Sequence, residues 1–443
     1  MAANRRTFLR HSMLGLGSGL MILISPKGSR AQNTKRPNVL FAIADDQSFP
    51  HAGIYGSRMV QTPAFDRVAR EGVLFTDAYA SAPQCSPNRA TILTGRPIWQ
   101  LEEAGTHASL FPSKFQVYPD LLEQAGYHIG YTGKPWSPGN WKDGGWSRNP
   151  AGPDYNRRSL QRPTSGIAKN DYAGNFEDFL AARPADTPFC FWYGASEPHR
   201  GYEPGSGLKA GKRLDDAEVP PFLPDQPEIR EDLLDYAREI EWFDYHLGQM
   251  LNTLEEIGEL ENTLIVVTSD NGMPFPGAKA TLYDYGTHMP LAVCWGAQVQ
   301  SGRVVDDFIP FIDFAPTFLD AAGVAIPSEM TGRSFLPVLL AQGSGQIDPS
   351  RDYVLCGRER HSHSRFDNWG YPARSIRKGD YLYIHNFKPD RWPAGDPEGY
   401  HDIDGGPTKD WMMQHREQIP ALFRHAFDKH PQEELFDLKS DLG

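Results

Sequence analysis

Residues 38–46 read NVLFAIADD, an unbroken apolar run that stops at two carboxylates, Asp45 and Asp46. The run is short for a helix and shows no polar–apolar alternation, which fits a strand covered on both faces. PFCFWYG (188–194), TLIVVTS (263–269) and PLAVCWG (290–296) have the same character, rich in β-branched and aromatic residues. Between them lie segments of helical period: TPAFDRVAREG, VYPDLLEQAGY, NDYAGNFEDFLAAR and the long EIREDLLDYAREIEWFDYHLGQMLNTLEEIG. The last spaces its apolar residues by three and four and stops at Gly258, as an amphipathic helix does. Strands alternating with helices predict an α/β fold, a large and mainly parallel sheet flanked by helices. Ligands of such sheets gather beyond the carboxyl ends of the strands, so chemistry is expected where these runs end.

The 443 residues, 40% hydrophobic and 23% charged, are those of a globular protein with a large core. A net charge of −12 argues against broad nucleic-acid binding, which needs basic stripes to displace counterions. It leaves room for a small anion in a locally positive pocket. The N-terminus, NRRTFLRHSMLGLGSGLMILISPKGSRAQ, sets paired arginines (Arg5, Arg6) before an apolar run and small residues. That order predicts a twin-arginine export signal over residues 1–31, a mature chain from about Gln32, and a periplasmic or extracellular bacterial protein carried by the twin-arginine translocase. The apolar run is short of the ~20 residues a membrane span needs. GSGQIDPS (343–350) looks like a boundary, which predicts a catalytic domain over 32–345 and a smaller C-terminal α+β subdomain over 346–443.

Polar clusters stand at three strand ends: Asp45 and Asp46, Glu197 and His199, Asp270 and Asn271. Each alone reads equally well as a solvated loop or a turn. A doubly wound sheet brings strand ends together, and three carboxylates with one amide suit a hard cation, Ca²⁺ or Mg²⁺, rather than zinc.

Four cysteines are scattered without a CxxC. Cys190 and Cys294 sit in apolar runs where a buried thiol is the plain reading. Cys85 differs, because it opens CSPNRATILTGR (85–96) between two prolines. A helix beginning near Pro87 turns its N-terminus toward Cys85, and Arg89 at i+4 lies on the same side, an arrangement suited to an oxyanion. A buried cysteine at a helix start fits the spacing equally well. A soft thiolate beside a hard cation is a mismatch.

CSPNRATILTGR resembles the sulfatase motif C-x-P-x-R followed by T-G-R, and DDQ, TGK, PH and TSDNG follow in the sulfatase order, over residues 36–340. The resemblance implies an alkaline-phosphatase-like fold and conversion of Cys85 to Cα-formylglycine by a formylglycine-generating enzyme, the hydrated aldehyde being the nucleophile. Oxygen then replaces sulfur beside the cation. It implies Asp45, Asp46, Asp270, Asn271 and the modified Cys85 as Ca²⁺ ligands, Mg²⁺ being the lesser choice. It implies that Arg89 holds the hydrate, that Lys134 and Lys279 bind sulfate oxygens, and that His199 protonates the leaving group.

TSDNGMPFPGAKATLYDYGTHMPLAV, EPHRG and GYPARSIRKGDYLYIHNFKPD are similar to the N-sulfoglucosamine sulfohydrolase (heparan sulfamidase) subgroup. The implied substrate is a terminal glucosamine N-sulfate of a heparan- or heparin-type chain, which places the protein in glycosaminoglycan degradation. His107, His361, His363 and Arg374 lie in polar loops of the kind that hold sugars or face solvent, and His361 with Arg374 is the preferred pair. Two departures stand out. Trp136 occupies the position where many sulfatases have a histidine, which leaves the proton acceptor for sulfate release unassigned, and ELFDLKSDLG resembles a motif that usually continues, so a shortened C-terminal subdomain is expected. The alternatives are a carbohydrate O-sulfatase, a phosphonate or phosphate-ester hydrolase of the same superfamily, and a catalytically silent carbohydrate-binding homologue.

Overall fold

The computed structural model describes residues 35–440, so the expected export signal lies outside them. Its main feature is a seven-stranded sheet in the order His128–Gly133, Phe189–Gly194, Asn38–Ala44, Thr263–Ser269, Leu291–Cys294, Val73–Phe75, Arg303–Val305. All neighbours are parallel except Leu291–Cys294, which runs against both of its own. The four apolar runs are therefore strands, and the mainly parallel sheet is present. His128–Gly133, Val73–Phe75 and Arg303–Val305 were not legible as strands; the last two are three residues long, too short to show a period.

The central strand explains why alternation is missing from the sequence. Val39, Phe41 and Ile43 pack into one core, and Leu40, Ala42 and Ala44 into another on the opposite face. Successive strand side chains point to opposite faces, so a strand sandwiched between two helical layers is apolar at every position. The first layer includes the helices Cys85–Thr94, Tyr118–Gln124 and Phe314–Ala321. The second includes Pro63–Glu71, Tyr172–Ala182 and part of Pro227–Glu256.

A four-stranded antiparallel sheet, Tyr353–Arg358, Ala373–Lys378, Tyr381–Asn386 and Glu433–Asp437, follows toward the C-terminus. Its inner side chains Val354, Cys356, Ala373, Leu382 and Ile384 pack against Tyr79, Leu282, Tyr283 and Phe308. That contact lays the small sheet against the loop that follows Asn271. All four cysteines are buried and unpaired. No helix among the described residues is long and apolar enough to cross a membrane.

Candidate active site

Four adjacent parallel strands end side by side, and each hands over a polar group. Gly133 precedes Lys134, Gly194 leads to His199, Ala44 precedes Asp45 and Asp46, and Ser269 precedes Asp270 and Asn271. Gly133 and Gly194 face each other in register. Gly133 has φ 75°, and a Cβ on either residue would meet a main-chain oxygen at 1.9 Å. Only glycine permits that approach. It lets the Lys134 carbonyl accept from Arg89 Nη1 at 2.7 Å and from Trp192 Nε1 at 3.1 Å.

Cys85 is the first residue of the helix Cys85–Thr94, which starts two residues earlier than Pro87 suggests, and every residue of that helix is buried. The thiol lies 3.3 Å from Asp45 Oδ1 and 3.6 Å from Asn271 Nδ2. Burial, then the Asp45 carboxylate, pushes its pKa well above the ordinary value, so it is a neutral thiol and not a thiolate nucleophile. Arg89, fully buried, donates from Nε to Asp270 Oδ2 at 2.7 Å and leaves Nη2 without a partner, 3.8 Å from Asp45 Oδ1. Asn88, which sequence reading passed over, accepts from the Ser81 N–H and donates to the Asp270 carbonyl, 2.5 Å away. Its signal was its place inside the CSPNR stretch.

Oxygens of Asp45, Asp46 and Asp270 and the sulfur of Cys85 lie within 4.8 Å of one another. Lys134 Nζ is 2.5 Å from Asp45 Oδ2, and Lys279 Nζ is 2.5 Å from both oxygens of Asp46. Burial raises the Asp46 carboxyl to about 6, with Asp45 and Asp270 adding to the shift and Lys279 and His199 opposing it. Asp270 shifts the same way, again through burial first. For Asp45 burial also raises, but Lys134, His199, Arg89 and Lys279 together hold it below the usual carboxylate range. Asp46 (φ 73°) and Ala280 (φ 57°) both occupy the left-handed region that non-glycine residues avoid, a strain typical of functional sites.

A hard divalent cation fits these residues. The donors are carboxylate oxygens, and Asn271 Oδ1 is buried with no hydrogen-bond partner of its own. An orphaned amide oxygen beside three mutually repelling carboxylates is the donor set that Ca²⁺ takes. Asp45, Asp46, Asp270 and Asn271 are the residues that would hold it.

His199 is partly exposed at the mouth. Its Nδ1 lies 2.6 Å from the Arg200 carbonyl, which only an N–H can satisfy, so Nε2 is the nitrogen left to exchange a proton. Nε2 is 3.8 Å from Asp46 Oδ2. Asp404, from the distant stretch HDIDGG, reaches Lys279 at 3.6 Å and joins Asp46 and His199 in a second acidic group. Nothing in the sequence pointed to it.

His107 and His361 meet edge to face, ring centroids 4.4 Å apart, each with a buried Nδ1 that has no hydrogen bond. Burial depresses both, His361 to about 4, so the rings are neutral at pH 7. Arg374, expected with His361 to bind substrate, lies on the strand Ala373–Lys378. It binds Glu359 at 2.5 Å and stacks on Trp99, 5.4 Å from the ring centroid, and makes no contact with the carboxylate cluster. His363 likewise has no bond to the cluster. Trp136 is fully buried, and its Nε1 donates to the Ser86 carbonyl.

The family model described as Sulfatase matches residues 37–324, and the chain belongs to that family. It is thus an enzyme of the class that hydrolyses sulfuric esters or sulfamates. A second family model, described as N-sulphoglucosamine sulphohydrolase, C-terminal, matches residues 278–392. The human protein named N-sulphoglucosamine sulphohydrolase is 31% identical over 79% of this chain and 73% of its own length. An N-acetylglucosamine-6-O-sulfatase of Bacteroides thetaiotaomicron is 28% identical over 94% of this chain and 87% of its own. A solved structure described as holding its substrate, D-glucosamine-2-N,6-O-disulfate, shares the fold with a TM-score of 0.62 at 24% identity, over 88% of this chain and 98% of that one.

Proposed function

We propose that this sulfatase removes the N-sulfate from a terminal glucosamine of a heparan- or heparin-type saccharide, using a Cα-formylglycine made from Cys85 and a bound Ca²⁺. The observation that carries the reading is the placement of Cys85. It is a neutral thiol at a helix N-terminus, enclosed by hard oxygen donors that have no use for sulfur. As formylglycine the residue supplies an oxygen nucleophile, and the cation supplies positive charge. The second half of the reading rests on the match over residues 278–392 and on the human relative.

The chain's own residues do the rest. Arg89 and the helix N-terminus fix position 85 against the carboxylates. Lys134 and Lys279, whose ammonium groups flank that position, bind the sulfate oxygens and hold the charge that develops on them as the bond breaks. His199 delivers the proton on Nε2 to the departing nitrogen or oxygen. His107 and His361, neutral and with unspent nitrogens, hydrogen-bond the sugar. Residues 1–31, with their paired arginines, carry the protein out of the bacterial cytoplasm.

The relative named N-acetylglucosamine-6-O-sulfatase favours a second reading, a 6-O-sulfate on the same sugar. The deciding experiment offers glucosamine N-sulfate, N-acetylglucosamine 6-O-sulfate and glucosamine 6-phosphate to enzyme co-expressed with a formylglycine-generating enzyme. Release from the first alone, or fastest from it, is the expected result. Turnover of the second only replaces the N-sulfate reading, and turnover of the phosphate only sinks both.

A further inference from the structure

Beside the carboxylate cluster opens a cavity of about 310 Å³, with Asp45, Lys134, Arg162, Gly166, His199 and Glu239 in its wall. That is room for about one sugar residue. Because His199 shares the wall, the cavity lies on the side where the leaving group departs.

Glu239 is the unexplained member. It sits in the middle of the helix Pro227–Glu256 and is 1% exposed, and its Oε1 has no hydrogen-bond partner. The neighbouring buried acids are all satisfied: Glu197 accepts from the Ala168 N–H and the Tyr172 hydroxyl, and Asp235 from Gly205, Ser206 and Gly207. Gly166 packs closely over Glu239, since a Cβ there would come within 2.6 Å of Oε1, yet its backbone supplies that oxygen with no hydrogen bond. A buried, unpaired carboxyl destabilises the fold and persists where function requires it.

We infer that Glu239 is a specificity residue, hydrogen-bonding a ring hydroxyl of the sugar that carries the scissile sulfate. This rests on the sulfated-sugar reading above. Burial first, then Glu197 and Asp235, raises the carboxyl to about 9, so at neutral pH it keeps its proton. A neutral carboxyl both gives and takes a hydrogen bond, which matches a hydroxyl. Arg162 stands at the exposed rim with one main-chain acceptor, the Ile167 carbonyl, and leaves the deeper contact to Glu239.

The test uses binding, so it does not depend on the modified cysteine. In the full-length Cys85→Ala protein, calorimetry compares glucosamine N-sulfate with inorganic sulfate. Adding Glu239→Leu should weaken the sugar by about tenfold or more and leave inorganic sulfate unchanged. The melting temperature should hold or rise, because no native contact is lost. Glu239→Gln, which keeps shape and hydrogen-bonding capacity, should bind the sugar within a few-fold of the parent and covers the case in which leucine does not fold. Equal sugar affinity in parent and Glu239→Leu, or a lower melting temperature with parallel loss of both ligands, overturns the assignment. If the parent binds inorganic sulfate but no sulfated glucosamine, the sugar reading itself fails and takes this one with it.

Discussion

The indole of Trp136 gives its one hydrogen-bond donor to the carbonyl of Ser86, 3.0 Å away, and neither residue is exposed. Indole has no acceptor nitrogen. Trp136 therefore cannot take a proton, and its work is mechanical: it braces the helix turn that begins at Cys85. Trp136→Ala should cost about 3–5 kcal/mol in urea unfolding. Trp136→Phe keeps an aromatic ring but loses part of the indole volume and orphans the carbonyl, and should cost about 1–3 kcal/mol. Wild-type midpoints for both would remove Trp136 from the support of the site.

His199 holds its Nε2 toward the cavity through the bond from Nδ1 to the Arg200 carbonyl. If it donates the leaving-group proton, His199→Ala should lower kcat on glucosamine N-sulfate by about 10²–10⁴. The same variant should lose much less on 4-nitrophenyl sulfate, whose leaving group departs without help. Equal losses on both substrates would assign His199 to binding instead.

Asp45, Asp46 and Asp270 pair with Lys134, Lys279 and Arg89, and these carboxylates with Asn271 are the residues proposed to hold Ca²⁺. Chelator treatment should lower the melting temperature, and Ca²⁺ at about 100 times its Kd should return about 2.7 kcal/mol. Asp270→Asn should abolish most of that return. A melting temperature indifferent to Ca²⁺ and to Mg²⁺ would contradict the cation.

Asp402 anchors the loop that carries Asp404. It takes Arg358 Nη2 at 2.8 Å, Arg365 Nη2 at 2.6 Å and the Ser362 and Ser364 hydroxyls at 2.7 Å. Burial opposes its charge, but His361 once it is protonated in acid, with Arg358 and Arg365, outweighs burial and holds the carboxyl below its usual range. A depressed folded pKa stabilises fully above the unfolded value, about 3.9, and the gain is lost as pH falls from there toward the folded value. Asp402→Asn should therefore cost roughly 3–5 kcal/mol at pH 7, with buried guanidiniums left uncompensated. The gap from wild type should narrow below about pH 4. A gap independent of pH would show that Asp402 acts through shape alone.

What the sequence made legible follows from where information is local. Asn38–Ala44 and Thr263–Ser269 announce themselves because a strand buried on both faces has no polar position, and their closing carboxylates then fall at strand ends by necessity. Val73–Phe75 is too short to carry a pattern. Lys134 and Lys279 look like any surface lysine in the sequence, since burial against Asp45 and Asp46 is decided by the topology and not by their neighbours in the chain. Asp404 and Glu239 lie far along the chain from Cys85, and only the packing of a late loop and a long helix brings them in. The surroundings of Arg374 were hidden for the same reason: its stretch resembles the sulfamidase subgroup, but only its register in the small sheet sets the guanidinium against Glu359 and Trp99.

Position 85 is proposed to work as an aldehyde and not as a thiol. Mass spectrometry of the peptide containing Cys85, on protein made with and without a formylglycine-generating enzyme and assayed for sulfate release, tests it directly. The expected result is the mass of the aldehyde in the co-expressed protein, with activity proportional to the modified fraction. Full sulfate release from protein whose Cys85 is still a thiol would contradict it.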